Sequence, residues 1–159
     1  MVYPPIDNKL IKEVLASAKT IAMIGVSSIK KEETSAVIKR RPSIIVMKYL
    51  QEFGYRVIPV NPSSVGKKIY GETAVKRLED ITIPIDVVNV FRPSKESPII
   101  AKQAVKIGAK VLWLQFGIQN QKAQEIVESA NITYIANRCI KQEYQRLFLK
   151  MRPVFPVLL

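Results

Sequence analysis

Small residues, amides and cations follow each of five apolar segments of this chain, and together they offer the chemistry of an anion-binding site. The five groups are Gly25-Val26-Ser27-Ser28, Asn61-Pro62-Ser63-Ser64, Phe91-Arg92-Pro93-Ser94, Gln115-Phe116-Gly117 and Ala136-Asn137-Arg138-Cys139. None of them contains a carboxylate or a histidine, so few groups are available for proton transfer. Backbone amides, hydroxyls and guanidinium groups instead suit phosphate. The sequence therefore predicts a protein that binds a phosphate-bearing cofactor before it predicts an enzyme.

The group at Gly25 lies where dinucleotide-binding folds have their phosphate loop. A full Gly-x-Gly-x-x-Gly pattern lets the backbone approach pyrophosphate, and only its first glycine is present here. Backbone amides and the hydroxyls of Ser27 and Ser28 can still hold a phosphate. The region 27–42 contains the cations Lys30, Lys31, Lys39, Arg40 and Arg41. This basic region either neutralises phosphates or is an ordinary solvated loop.

The groups after the second and third apolar segments narrow the choice of nucleotide. An NAD site usually has an acidic residue after its second strand, and this chain has Asn61-Pro62 there. NAD is therefore disfavoured, while NADP stays open because its extra phosphate is bound by a cation. Phe91 either packs on an adenine or closes the core, and Arg92 can reach a phosphate.

The last two groups offer contacts to the remainder of a ligand. Gln115 has an amide side chain, and Gly117 exposes backbone to a polar arm. Cys139 precedes a predicted helix, whose dipole would lower the pKa of the thiol together with Arg138. A buried and inert Cys139 is the alternative, and both interpretations stay open.

Alternating strands and helices position these groups at one edge of a sheet. The predicted strands are 20–26, 56–60, 86–91, 110–114 and 132–135. Helices are predicted after a cap at Asp7, after a cap at Ser43, around 75–78, from Ser97, after a cap at Asn120 and around 141–149. This alternation specifies parallel βαβ units and an α/β fold, in which ligands bind outside the carboxyl ends of the strands.

Length and composition favour one soluble globular domain over residues 1–159. The chain has no apolar run of about 18 residues, so no membrane span is predicted. Residues 1–5 lack the layout of a signal peptide, and a single cysteine makes the reducing cytoplasm the expected compartment.

The absence of histidine removes imidazole as general base, zinc ligand and phosphoryl acceptor. The net charge of +12 favours anionic partners. Nucleic acid is disfavoured among them, because the cations are spread along the chain without a recognisable reader motif.

Five stretches of the chain resemble the small, single-domain CoA-binding protein family. They are IAMIGVS at 21–27, YLQEFGYRVIPVNP at 49–62, DVVNVFR at 86–92, GAKVLWLQ at 108–115 and NRCIK at 137–141. The resemblance implies a Rossmann-like domain, related to the CoA-binding domain of succinyl-CoA synthetase, that holds coenzyme A along the strand ends. It implies that 25–28, Asn61-Pro62 and Phe91-Arg92 line the nucleotide part. It places toward the pantetheine and thiol Gln115, Gly117, Asn137, Arg138 and Cys139.

The chain departs from the family pattern in three places: the first concerns the contacts of region 27–42 with coenzyme A, and the other two remove titratable groups and so favour binding over catalysis. Region 27–42 is about nine residues longer than the family pattern, Asn137 replaces a frequent aspartate, and Tyr144 replaces a frequent histidine.

For the fold, we expect an open sheet of about five mainly parallel strands in the order 3-2-1-4-5, with helices on both faces.

The expected function is non-enzymatic binding of coenzyme A or a short acyl-CoA, as a carrier, a sensor or a thiol-protecting protein that forms a mixed disulfide at Cys139. An NADP-linked or acyl-CoA-handling enzyme subunit is the alternative. The apolar tail 151–159 either covers an edge of the sheet or joins a subunit interface, so a homo-oligomer stays open.

Overall fold

Residues 7–26 and 41–150 are described by the structure, a computed structural model, and they alternate between strands and helices. The strands are β1 (Thr20–Ile24), β2 (Arg56–Val60), β3 (Lys68–Ile69), β4 (Glu72–Thr73), β5 (Val87–Val90), β6 (Val111–Leu114) and β7 (Thr133–Ile135). The helices are α1 (Asn8–Ser17), α2 (Pro42–Glu52), α3 (Ser97–Ile107), α4 (Gln121–Ser129) and α5 (Ile140–Phe148). Short 3₁₀ turns occur at Pro62–Ser64, Leu78–Asp80 and Ser94–Glu96.

The main sheet has five parallel strands in the order β2-β1-β5-β6-β7, which confirms the α/β class. The expected order 3-2-1-4-5 is wrong, because β5 pairs with β1 on the side away from β2. The outer edge of β2 is already occupied by the chain that follows the β3–β4 hairpin: Val75 donates to the Pro59 carbonyl at 3.0 Å, and its own carbonyl accepts from Asn61 at 2.9 Å. The third main strand, β5, pairs instead with the other side of β1.

Pro59 is compatible with β2 because of this edge. Its carbonyl points to Val75, away from β1, so its missing N–H removes no hydrogen bond from the β1–β2 ladder. The strand ends one residue later, at Val60, as expected from the sequence.

Two apolar layers cover the sheet, one on each face. Alternate strand residues point to opposite faces, so Ile21 and Met23 pack on one side and Ala22 and Ile24 on the other. The first layer includes Trp113 and the buried faces of α1, α2 and α5. The second is formed with α3 and α4. Helices on both faces are thus confirmed.

Local sequence signals set most of the helix ends. The Asp7 carboxylate accepts from the Lys9 and Leu10 amides at 2.9 and 3.3 Å, and Asn120 Oδ1 accepts from Ala123 N at 2.9 Å. Gly108 ends α3 in the left-handed conformation. Ser43 is not a cap, because α2 begins one residue earlier at Pro42 and Ser43 is buried in its first turn.

The short helix predicted at 75–78 is replaced by an extended residue and a 3₁₀ turn. Val75 forms a parallel bridge with Val60, and the turn begins only at Leu78.

None of the helices within 7–26 and 41–150 combines the length and apolar character needed to cross a membrane.

Candidate functional site

Gly25 lies at the reversal of strand order, between the carboxyl ends of β1 and β5. Its φ is +106°, and its N–H donates to the Val60 carbonyl at 3.0 Å. A Cβ atom here would lie 3.2 Å from Phe91 Cβ and 3.3 Å from both Arg92 Cδ and the Phe91 carbonyl oxygen. Glycine is required both for this backbone conformation and for the close approach of the next loop.

A cavity of about 540 Å³ opens beside Gly25, within the size range of small-molecule sites. Residues after β1, β2 and β5 form one wall: Gly25, Asn61 and Arg92. The first turns of α3 form another wall with Ile99, Ile100 and Gln103. The cavity therefore brings together three of the strand ends that the sequence singled out.

Among the described residues, three cations and one carboxylate line this cavity and give that part of its wall a net positive charge. They are Lys76, Arg77, Arg92 and Glu96. Arg92 forms a two-pronged ion pair with Glu96, with 3.2 Å between Nε and Oε1 and 3.0 Å between Nη2 and Oε2. Arg77 lies 3.6 Å from Asp80. A site of this charge suits an anion such as a phosphate.

Lys76 and Arg77 also line the cavity, although neither follows a predicted strand. The bridge between Val60 and Val75 brings them to the end of β2, and no motif in the sequence indicates this contact. Glu96 was missed for a related reason, because it precedes α3 and does not belong to a strand end. Its spacing of four residues from Arg92 was the signal that could have indicated an ion pair.

Asn61 shapes the rim of the cavity. Its side-chain oxygen accepts from the backbone N–H and the hydroxyl of Ser63, at 3.0 and 2.8 Å. These bonds cap the 3₁₀ turn that begins at Pro62. Asn61-Pro62 therefore fixes the path of the chain beside a bound ligand.

Val26 and Phe91 pack into the first apolar layer. Val26 is fully buried, and the partly buried Phe91 is packed against the same layer. Of the two interpretations of Phe91, this packing favours the closing of the core. Ser27, Ser28 and Lys30 lie outside the described residues.

Gln115 acts as an internal connector beyond the cavity. Its buried side-chain oxygen accepts from Asn89 Nδ2 at 3.1 Å and from the Ile140 backbone N–H at 3.0 Å. It thereby links β5 to the start of α5. A contact between Gln115 and a ligand stays a prediction.

Asn137 connects the loops after β6 and β7. It adopts φ +58°, which asparagine tolerates better than most residues. Its side-chain oxygen accepts from Gly117 N at 2.7 Å, and its backbone N–H donates to Ile118 at 3.0 Å. An aspartate would keep the first of these bonds, so the departure from the family pattern preserves the local structure.

Arg138 is directed into the interior. Its side chain is 3% exposed, and Nη1 lies 2.6 Å from the Glu143 carboxylate, which is 1% exposed. The Arg138 carbonyl accepts from the Trp113 indole N–H at 2.8 Å. In this position the guanidinium stabilises the packing of α5, and a ligand contact by Arg138 stays a prediction.

Cys139 has the properties of the inert alternative. The residue is fully buried. Burial raises the pKa of its thiol, and the nearby amides of Gln142, Gln115 and Lys141, together with the Lys141 charge, only partly oppose this effect. Of the two interpretations of Cys139, the buried thiol is therefore favoured, because desolvation outweighs the groups at the start of α5.

We expect Cys139 to react with a maleimide about a hundredfold or more slowly in the folded protein than in guanidinium, because reaction requires local opening and thiolate formation. Intact mass spectrometry over time at pH 7.5 measures both rates. Equal rates would show that the thiol is accessible. Oxidation with coenzyme A, followed by the same mass analysis, tests the mixed disulfide directly.

The described residues contain no group of three His, Cys, Asp or Glu side chains that could hold a metal ion. They form an open parallel sheet whose strand order reverses between β1 and β5, with a basic cavity at the carboxyl ends of its strands. This is the arrangement of a nucleotide-binding α/β domain. The chain belongs to the CoA binding domain family, whose model matches residues 19–145.

Three relatives show how far this similarity extends. The chain is 37% identical over 131 residues to the uncharacterized protein YneT of Bacillus subtilis, which covers 82% of this chain and 89% of YneT. A structure from Thermus thermophilus is 34% identical, with a TM-score of 0.79, covering 90% of this chain and 100% of the other. A hypothetical protein from Pyrococcus horikoshii is 35% identical, with a TM-score of 0.78 and coverages of 92% and 99%.

Proposed function

We propose that this protein binds coenzyme A, or a short acyl-CoA, at the carboxyl ends of the sheet strands and acts as a non-enzymatic carrier, sensor or thiol-protecting protein. The observation that carries the proposal is the basic cavity beside Gly25, at the reversal of strand order. Membership of the CoA binding domain family supports coenzyme A as the ligand.

The chemistry of the cavity supports the nucleotide end of this ligand. Coenzyme A carries a pyrophosphate and a 3′-phosphate on its adenosine. Arg92 can present a planar fork to one phosphate, and Lys76 is a point charge that can neutralise another. Gly25 lets the loop of Phe91 and Arg92 approach the end of β1 closely, beside the cavity that Gly25 and Arg92 both line.

The groups present among the described residues of the site support binding over a reaction. The chain has no histidine, and Cys139 is buried with a raised thiol pKa. Among the described residues that line the cavity, Glu96 is the carboxylate, and it is paired with Arg92. A cytoplasmic location, inferred from the single cysteine, belongs to the same proposal.

Thermal unfolding with matched ligands tests the proposed function. Coenzyme A at a hundred times its dissociation constant should add about 2.7 kcal/mol, which raises Tm by roughly 5–10 °C for a chain of this size. The rise should be smaller with dephospho-CoA and absent with NAD. A rise with NADP alone would favour the NADP-linked alternative, and no rise with any ligand would contradict the proposal.

A matched pair of charge-removing variants locates the site. Arg92→Gln removes a cation of the cavity, whereas Lys95→Gln removes an exposed cation that does not line it. We expect Arg92→Gln to weaken coenzyme A binding about tenfold, the loss of a charge-assisted hydrogen bond. Lys95→Gln should change the dissociation constant less than twofold; equal effects of the two variants would indicate only general charge attraction.

A further inference from the structure

We propose that Glu96 occupies the phosphate-binding fork of Arg92 in the ligand-free protein, and that a ligand phosphate displaces it. Glu96 thereby sets both the affinity of the cavity and the kind of anion it accepts. This inference rests on the proposed function of the same cavity and adds an exchange of ion-pair partners to it.

The ion pair of Arg92 and Glu96 has a geometry that suits an exchange with phosphate. Nε and Nη2 of Arg92 face the two carboxylate oxygens of Glu96 at 3.2 and 3.0 Å. This is the same edge of the guanidinium that arginine offers to a phosphate. Both residues line the cavity, so a phosphate and the carboxylate compete for one position.

Glu96 also lies at the start of a helix, where an anion is favoured. It immediately precedes α3, an 11-residue helix, so its carboxylate lies where the helix dipole favours a negative charge. A bound phosphate would be favoured there for the same reason. Glu96 makes no side-chain cap hydrogen bond, so it can release Arg92 without uncapping α3.

The other cations of the cavity are held differently. The Arg77 guanidinium lies 3.6 Å from Asp80, a longer ion pair than the one between Arg92 and Glu96, and no salt bridge to Lys76 is found among the described residues. The exchange is therefore specific to Arg92. A ligand has to supply an anion that outcompetes a carboxylate, which favours phosphate and pyrophosphate over singly charged anions.

The neutral, nearly isosteric Glu96→Gln variant tests the exchange by isothermal titration calorimetry with coenzyme A and with inorganic pyrophosphate. Because the ion pair is about half exposed, removal of the competing charge should tighten binding about three- to tenfold. Glu79→Gln is the matched control, since Glu79 pairs with Lys106 at 3.0 Å and does not line the cavity. It should change the affinity less than twofold.

A double variant distinguishes exchange from simple repulsion. In an Arg92→Gln background, Glu96→Gln should bring less than half of its gain in affinity, because the fork is gone. An undiminished gain would show that Glu96 acts only as a negative charge in the cavity, and weaker binding by the single variant would show that it holds Arg92 in place. Either result overturns the exchange.

The two proposals fail in different ways. If the unmodified protein binds coenzyme A and Glu96→Gln binds equally well, only the exchange is wrong. If neither protein binds coenzyme A or pyrophosphate, both proposals are wrong. The Arg92 Nε–H resonance in ¹H–¹⁵N spectra of the unmodified protein gives an independent readout, and it should shift when pyrophosphate is added.

Discussion

Gly25→Ala is expected to lower the free energy of unfolding by about 2–4 kcal/mol and to weaken coenzyme A binding about tenfold or more. Two costs add in the folded state. The φ of +106° is strained for any residue with a Cβ, and the new methyl group would lie 3.2 Å from Phe91 Cβ and 3.3 Å from a backbone oxygen. Relief requires the loops after β1 and β5 to separate, which would widen the cavity.

Gly66→Ala separates these two costs. Gly66 also has a positive φ, of +81°, but beyond its two chain neighbours no atom of the described residues lies within 4 Å of the position of its Cβ. We expect a loss of about 1 kcal/mol from backbone strain alone and an unchanged affinity for coenzyme A. Urea unfolding and calorimetry of both variants measure the difference. Equal losses of stability would show that contact with the loop after β5 is unimportant.

Glu143→Gln is expected to cost about 3–5 kcal/mol of stability. Glu143 is 1% exposed and accepts from two arginines, at 2.6 Å from Arg138 Nη1 and 2.8 Å from Arg146 Nε. Removal of its charge leaves the guanidinium of Arg138 buried without its counterion. Arg146 also reaches Asn8 at 2.9 Å, so the same change loosens the contact between α5 and α1.

The exposed pair of Arg56 and Glu72 provides the control for this prediction. Its side chains are 55% and 22% exposed, so Glu72→Gln should cost less than about 1 kcal/mol. Chemical denaturation measures both losses, and similar values would contradict a structural role for the buried pair. Calorimetry on folded Glu143→Gln also measures its affinity for coenzyme A. We expect that affinity to be unchanged if Arg138 only supports packing.

The sequence was sufficient for the parts of this fold that depend on local patterns. Continuous apolar runs predicted β1 and β2, and single polar residues predicted the caps at Asp7 and Asn120. The same logic found Gly25, Asn61 and Arg92, which the structure brings to one cavity. Each of these residues directly follows a strand, and parallel strands deliver their carboxyl ends to one edge.

Features set by distant contacts could not be predicted. The outer edge of β2 is occupied by Val75, which follows the β3–β4 hairpin, and the two-residue strands of that hairpin carry almost no periodic signal. Lys76 reaches the cavity only through that arrangement. Cys139 illustrates the same limit, because its thiol pKa depends on burial by elements that are distant in sequence.

The edges of the main sheet also determine how copies of this chain can associate. On one side, Val75 hydrogen-bonds to the outer edge of β2, where Pro59 has no N–H to donate to another strand. On the other side, β7 is only three residues long. Short, occupied or proline-containing edges resist the strand addition that leads to β-aggregation. We therefore expect a homo-oligomer of this protein to form through helix surfaces, and we expect its concentrated solutions to resist fibril formation.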